Sequence, residues 1–298
     1  MLLYRIFNLF TGVRLHTDTF IHHLELFVNT SPTLRNRSNS LPSTTRREIS
    51  LLIGACLGLL AAIFGPSVAQ PAHYHAFADQ RVLLGLPLAM DVLSNLPFAI
   101  AAVWGLLALY QSPSDAKHLS DKSQPALAAL FFGGLFITAA CSSYYHLRPN
   151  DPSLAIDRLG MVIAFAGLLG VAVADRVSNR AGIATAAFVL ASGPLTVGIW
   201  ADSGNLLPWV LLQGGGMFLI ALLAVFRPLK GAWGLHLLPV VIFYAAAKLF
   251  EVGDHQVFEW TGGMISGHSL KHIVAAFAAW PVIAAIYRQR MGVRNSSR

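Results

Sequence analysis

Of 298 residues, 55% are hydrophobic and only 12% charged, with a mean hydropathy of +0.59. Soluble domains carry roughly 25% charged residues, so the composition excludes an ordinary soluble protein and implies an integral membrane one. The formal net charge of +7 does not make nucleic acid a partner, because the basic residues fall in the amino-terminal tail, short loops and the carboxyl end rather than in one aromatic-interleaved patch. Cys56 and Cys141 both lie within apolar runs, which leaves neither a disulfide framework nor a CxxC metal site.

Residues 1–49 are mixed and polar, with Arg35, Arg37, Arg46 and Arg47 among Ser, Thr and Asn. Such a stretch cannot bury a core and reads as a disordered basic tail, or as an over-extended start of translation. Apolar runs begin at Ser50, each about the 20 residues that cross a hydrocarbon layer of roughly 30 Å. Spans are expected near 51–69, 86–111, 125–147, 153–174, 181–201, 206–226, 234–252 and 265–287. The first is ambiguous. Arg46-Arg47, the run Leu51 to Gly65, and Ser67-Val68-Ala69 have the three regions of a secretory signal, yet cleavage signals normally start close to the amino terminus. The expected organisation is therefore a tail (1–49), an extra span or signal-like segment (50–72) and a seven-helix domain (73–298), all-α throughout. The GxGxxG and P-loop patterns are missing, and no repeat of period 20–50 is visible.

Charge sets the expected orientation. On the side of Arg46-Arg47 the loops carry Lys117 and Lys122, then Arg176 and Arg180, then Arg227 and Lys230, and finally Arg288, Arg290, Arg294 and Arg298. The opposite loops carry Asp79 with Arg81, Arg148 with Asp151, Asp202, and Glu251, Asp254 and Glu259. By the positive-inside rule the carboxyl terminus is cytoplasmic and the 148–153 loop lies on the outer or lumenal side.

Five polar residues stand out inside apolar helices: Ser142, His146, Asp157, His268 and His272. Ionisable groups in a membrane are costly and mark functional sites by default. Ser142 and His146 are four apart and share a helix face, as do His268 and His272. Asp151-Pro152 reads as an N-cap followed by proline at the first helical position, and Ser266-Gly267 opens the last helix. All five then reach one layer at the outer ends of their helices. Three imidazoles with an open fourth position make a catalytic zinc site, Asp157 is placed to take a proton from water, and Ser142 to hydrogen-bond an oxyanion. Blander readings stand beside these: Ser142 bonding back to a carbonyl one turn away, Asp157 pairing with Arg158, and Lys248, Glu251 and Asp254 forming a structural charged strip. Lys271, about 100° around the helix from His272, is not a ligand. The HExxH and GxSxG motifs are absent.

The run Cys141-Ser142-Ser143-Tyr144-Tyr145-His146, Asp157 eleven residues beyond that histidine, Gly267-His268-Ser269-Leu270-Lys271-His272, and Ser94-Asn95-Leu96 in the second span resemble the alkaline ceramidases and their superfamily of seven-helix membrane hydrolases. The resemblance covers about residues 73–287. It implies a seven-helix fold, zinc on His146, His268 and His272, Ser142 and Asp157 beside it, and hydrolysis of the ceramide amide to a sphingoid base and a fatty acid, with a membrane lipid as substrate. Animal members also hold calcium through an acidic cluster that includes a glutamate where Leu88 stands here, and Asp79 and Asp91 alone do not make up that ligand set. Three alternatives share part of the pattern: a seven-helix receptor of the progestin and adiponectin type, in which a longer interval between the histidine and the aspartate is expected; a lipid hydrolase acting on ester bonds; and a transporter using His146, Asp157 and His272 as a proton relay.

Overall fold

The computed structural model describes residues 45–112 and 122–296, and every regular element among them is helical. The tail up to residue 44, Lys117 and Arg298 lie outside the described residues. Two isolated bridges, Ala69 with Asn205 and Leu83 with Leu86, are the only extended pairings among them.

Helix α1, Arg46–Phe64, opens on a capping box in which Thr45 and Glu48 satisfy each other's backbone N–H. It buries none of its own residues, yet both of its ends are tied down. Glu48 accepts from Ser178 and Arg180, and Arg47 donates to the Arg176 carbonyl. Beyond its far end, Val68 N donates to the Asn205 side chain and Leu206 N to the Val68 carbonyl.

Seven helical stretches are long and apolar enough to cross a membrane. They are α1, the pair α2 (Ala89–Leu93) and α3 (Leu96–Tyr110), α4 (Ser123–Leu147), α5 (Asp151–Arg176), α6 (Asn179–Ser203), α7 (Leu207–Val225), and the last stretch, α10 (Gly267–Ala276) with α11 (Trp280–Ser296). The run expected at 234–252 forms α8, Leu237–Val252, of only 16 residues, or about 24 Å. A short helix α9, Asp254–Trp260, follows it. The sequence therefore anticipates eight spans where seven stretches have full length and α8 falls short.

Prolines set two interruptions. Pro97 follows the Ser94-Asn95 turn that separates α2 from α3. Pro281 lacks an N–H and would crowd the carbonyl of Phe277, and the chain tightens into a 3-10 turn at Phe277–Ala279 between α10 and α11. The expected N-cap at Asp151 moves back by one residue: Asn150 caps α5 in a box with Ser153, leaving Asp151 and Pro152 in the first turn.

Helix α5 is buried along most of its length and is the post around which the others pack. Its contact with α4 is backbone to backbone. A Cβ on Gly134 would lie 2.2 Å from Ala164 N, and one on Gly167 would lie 2.2 Å from Phe131 N. Such small-residue contacts let helices approach where no hydrophobic effect pulls them together. The three-residue connector Arg148–Asn150 makes α4 and α5 antiparallel neighbours, which brings the end of one beside the start of the other. At the opposite end of α5 the buried Asp175 carboxylate accepts from Gly234 N and Leu235 N and pairs with Arg176, stapling the α7–α8 loop.

Candidate metal centre

The last turn of α4 carries His146, and the first two turns of α10 carry His268 and His272. All three are buried, and each offers one ligand atom such that these atoms lie within 4.8 Å of one another. His146 Nε2 and His268 Nε2 face each other at 3.3 Å, and the three ring centroids are 4.8–5.0 Å apart. Among the described residues this is the group able to hold a metal ion.

The tautomer of His272 follows from its neighbour. Ser94 Oγ donates its single proton to the Asp91 carbonyl at 2.9 Å, so at 2.8 Å from His272 Nδ1 it accepts. Nδ1 therefore carries the proton and Nε2 presents a lone pair, the state in which imidazole ligates. The α10 amino terminus is anchored by two buried acids. Asp91 Oδ1 accepts from Ser266 Oγ at 3.2 Å and Ser269 Oγ at 2.6 Å. Asp254 accepts from His268 N at 2.8 Å through Oδ1 and from Ala78 N at 2.9 Å through Oδ2. Ser266 is the N-cap of α10, as its sequence implies, accepting from Ser269 N.

Ser142 sits one turn before His146 and is buried, within reach of the Asp157 carboxyl. Asp157 Oδ1 is buried without a hydrogen-bond partner, and Asp157 stands outside the three-histidine group. Arg158 donates to Gln70 Oε1 at 2.9 Å and lies 3.9 Å over the Trp200 ring, and it acts on Asp157 through charge rather than through a direct salt bridge. Lys271 pairs with Glu251 at 2.8 Å, and Lys248 with the same carboxylate at 2.5 Å.

A strap of residues 66–88 closes this end of the bundle. Phe77, 5% exposed, places its ring 4.5 Å from that of His268 and 4.9 Å from that of His146. His75 bonds Tyr145 at 2.9 Å and Asp151 at 3.1 Å. Burial raises the Asp79 carboxyl, but hydrogen bonds from the Arg81 side chain and backbone outweigh it and hold the group below the ordinary carboxylate range. Asp79 is thus engaged by Arg81 and Asp91 by serines, which is how the two acids weighed for calcium are used.

One helical turn deeper lies an apolar cavity of about 160 Å³, walled by Phe98, Thr138, Met161, Phe165, Tyr244 and Ala275 among others. Thr138 is one turn before Ser142, Met161 one turn after Asp157, and Phe98 packs 6.2 Å from the His272 ring. Sequence reasoning missed Asp91, Asp254 and Phe77 as builders of the site, and noted Ser94 only as part of a motif. No protein-family model matches the chain, and no curated protein matches it.

Proposed function

We propose that the chain is a zinc-dependent hydrolase of the membrane that cleaves the acyl amide of a ceramide-type lipid, with α2 to α11 as its seven-helix domain and α1 as an extra span. The observation that carries this reading is the buried three-histidine group with a carboxylate next to it, one oxygen of which has no hydrogen-bond partner among the described residues, and an apolar cavity beneath. Zinc is supported by the donor set and its spacing. Two nitrogens about 2.0–2.1 Å from a tetrahedral zinc are about 3.4 Å apart, and His146 and His268 present theirs at 3.3 Å. When bound there, zinc supplies a Lewis acid and lowers the pKa of water to about 7.

The chain's own groups do the rest. His146, His268 and His272 are the metal ligands, with Ser94 fixing the ring of the last. Asp157 Oδ1, free of other partners, takes the proton of the attacking water and passes it to the departing amine. The Ser142 hydroxyl donates a hydrogen bond to the carbonyl oxygen as charge develops on it. The acyl chain lies in the cavity, and Phe77 keeps bulk water off the imidazoles. The site faces the outer or lumenal side, since the opposite end bears the basic loops.

The test is lipid mass spectrometry after incubating the purified protein with ceramides and, separately, with phospholipids, with and without a chelator. Chelator-sensitive release of a sphingoid base and a fatty acid is expected. Release from phospholipid alone would move the scissile bond to an ester, and turnover indifferent to chelation would remove the metal from the reaction.

A further inference from the structure

The strap that carries Phe77 also carries a feature the proposed chemistry does not use. Leu83 and Leu86 exchange backbone hydrogen bonds at 3.1 and 2.9 Å around a two-residue turn, Leu84-Gly85, in which both residues have positive φ, 51° and 79°. That is the hairpin turn ordinarily made by Asn-Gly. Here a leucine occupies the strained position, and its side chain is fully exposed, with Val82 and Leu83 exposed beside it. Conformational energy is thus spent on presenting an apolar side chain, Leu84, away from the described residues.

Across from it, Trp260 at the end of α9 is 82% exposed and Met264 72%. Arg81 clasps the two segments, donating to the Met264 carbonyl at 2.9 Å and lying 5.5 Å over the Phe258 ring. This rim lies beyond the ends of the membrane-length helices. In sequence it follows the exposed apolar side chains of Leu249 and Val252 at the end of α8. Tryptophan at such a level is the mark of a membrane–water interface.

We propose that Val82, Leu83, Leu84, Trp260 and Met264 form a lipid-contacting rim that dips into the leaflet at the histidine end, and that a bilayer lipid passes this rim to reach the site beneath Phe77. The occupant is the lipid surface itself, because the rim continues the surface that the helices already present to lipid. The same strap joins the two places. Asp254 holds Ala78 N and His268 N on one carboxylate, and Gln80 donates to the Phe77 carbonyl at 2.7 Å, so the aromatic cover of the histidines sits seven residues before Leu84 at the tip, on one hydrogen-bonded segment. Only the route of the lipid rests on the hydrolase reading; the contact with the leaflet does not.

The test places an environment-sensitive fluorophore on Leu84→Cys, in a background with Cys56 and Cys141 replaced by alanine, in phosphatidylcholine vesicles. Blue-shifted emission, quenching by phosphatidylcholine with a shallow nitroxide, and shielding from iodide are expected, comparable to the same probe at Leu249→Cys. Iodide quenching without nitroxide quenching would place the rim in water. Shielding that appears only at high protein-to-lipid ratio would make the occupant a second copy, and either result overturns the proposal. A second variant, Leu84→Asn, suits the turn and keeps the fold. It is expected to lower hydrolysis of bilayer-resident ceramide several-fold while leaving detergent-dispersed short-chain ceramide unaffected. Equal loss on both substrates would remove the rim from the lipid's route, whatever the fluorescence shows.

Discussion

At the scale of single residues, the centre is set by which nitrogen of each imidazole is free. Ser94, at 2.8 Å from Nδ1, and the Asp91 backbone both hold the His272 ring, while His146 Nδ1 is buried with no partner among the described residues. Replacing Ser94 by alanine removes the side-chain partner of His272 Nδ1 and leaves the Asp91 backbone. Partners of this kind are worth roughly 10–100-fold in metal affinity. Ser94→Ala is therefore expected to weaken zinc binding by about that factor in a competition titration, and Ser94→Thr to restore most of it; unchanged affinity in the alanine variant would remove Ser94 from the site. Asp157 separates binding from chemistry. Asp157→Asn keeps size and hydrogen bonding but cannot take a proton, so metal content measured by mass spectrometry should stay near one per chain. Turnover should fall by roughly 10²-fold or more. Loss of the metal along with turnover would make Asp157 a ligand instead. The residues that the sequence picked out, Ser142, His146, Asp157, His268 and His272, were legible because a polar side chain inside an apolar helix contradicts its surroundings. Asp91, within the apolar 86–111 run, carried the same sign, whereas Asp254 lies at an element end, where acids are ordinary; the partners of both are backbone amides and serine hydroxyls distant in sequence. Phe77 was invisible, since a phenylalanine in a connecting segment gives no hint of what it covers.

At the scale of elements, the α4–α5 contact is what brings Ser142 and His146 alongside Asp157. It is a contact of backbones, so it tolerates no added atom. Gly167→Ala would put a Cβ 2.2 Å from Phe131 N and 2.5 Å from its Cα, and neither is a flexible side-chain end that moves aside. The helices must separate, at a cost of about 1–3 kcal/mol or more. The neighbouring Gly133 meets nothing within 4 Å, so Gly133→Ala is expected to be neutral or slightly stabilising through helix propensity. Thermal unfolding of the two variants in detergent should show a lowered midpoint for Gly167→Ala alone. Equal midpoints would mean that the close approach contributes nothing. Hydropathy located these helices well, because a span must be apolar whatever it packs against. It ran 86–111 together as one span because the turn at Ser94-Asn95 is set by local backbone geometry, and it over-extended α8 because Leu235, buried in the loop stapled by Asp175, reads as part of an apolar run.

At the scale of the whole molecule, one asymmetry organises the chain. The end of the bundle opposite the histidines carries Arg46, Arg47, Lys122, Arg176, Arg180, Arg227, Lys230, Arg288 and Arg290, whereas the histidine end carries Asp151, Asp202, Asp254 and Glu259 with Arg81 and Arg148. Some of the cations have structural duties. Arg176 holds the α7–α8 loop, and Arg180 holds Glu48 of α1, whereas Arg227 and Lys230 are exposed. Lysine and arginine in short loops are retained on the cytoplasmic side, so the histidine end should face the exterior or a lumen. Asp202 is exposed at the histidine end of α6, and Lys230 is exposed at the other end. With Cys56 and Cys141 replaced, Asp202→Cys should react with a membrane-impermeant maleimide in intact cells, or in sealed lumen-out vesicles if the protein resides in an internal membrane. Lys230→Cys should react only after permeabilisation. The reverse pattern would place the site on the cytoplasmic leaflet, and the rim around Leu84 would then contact that leaflet with its geometry unchanged.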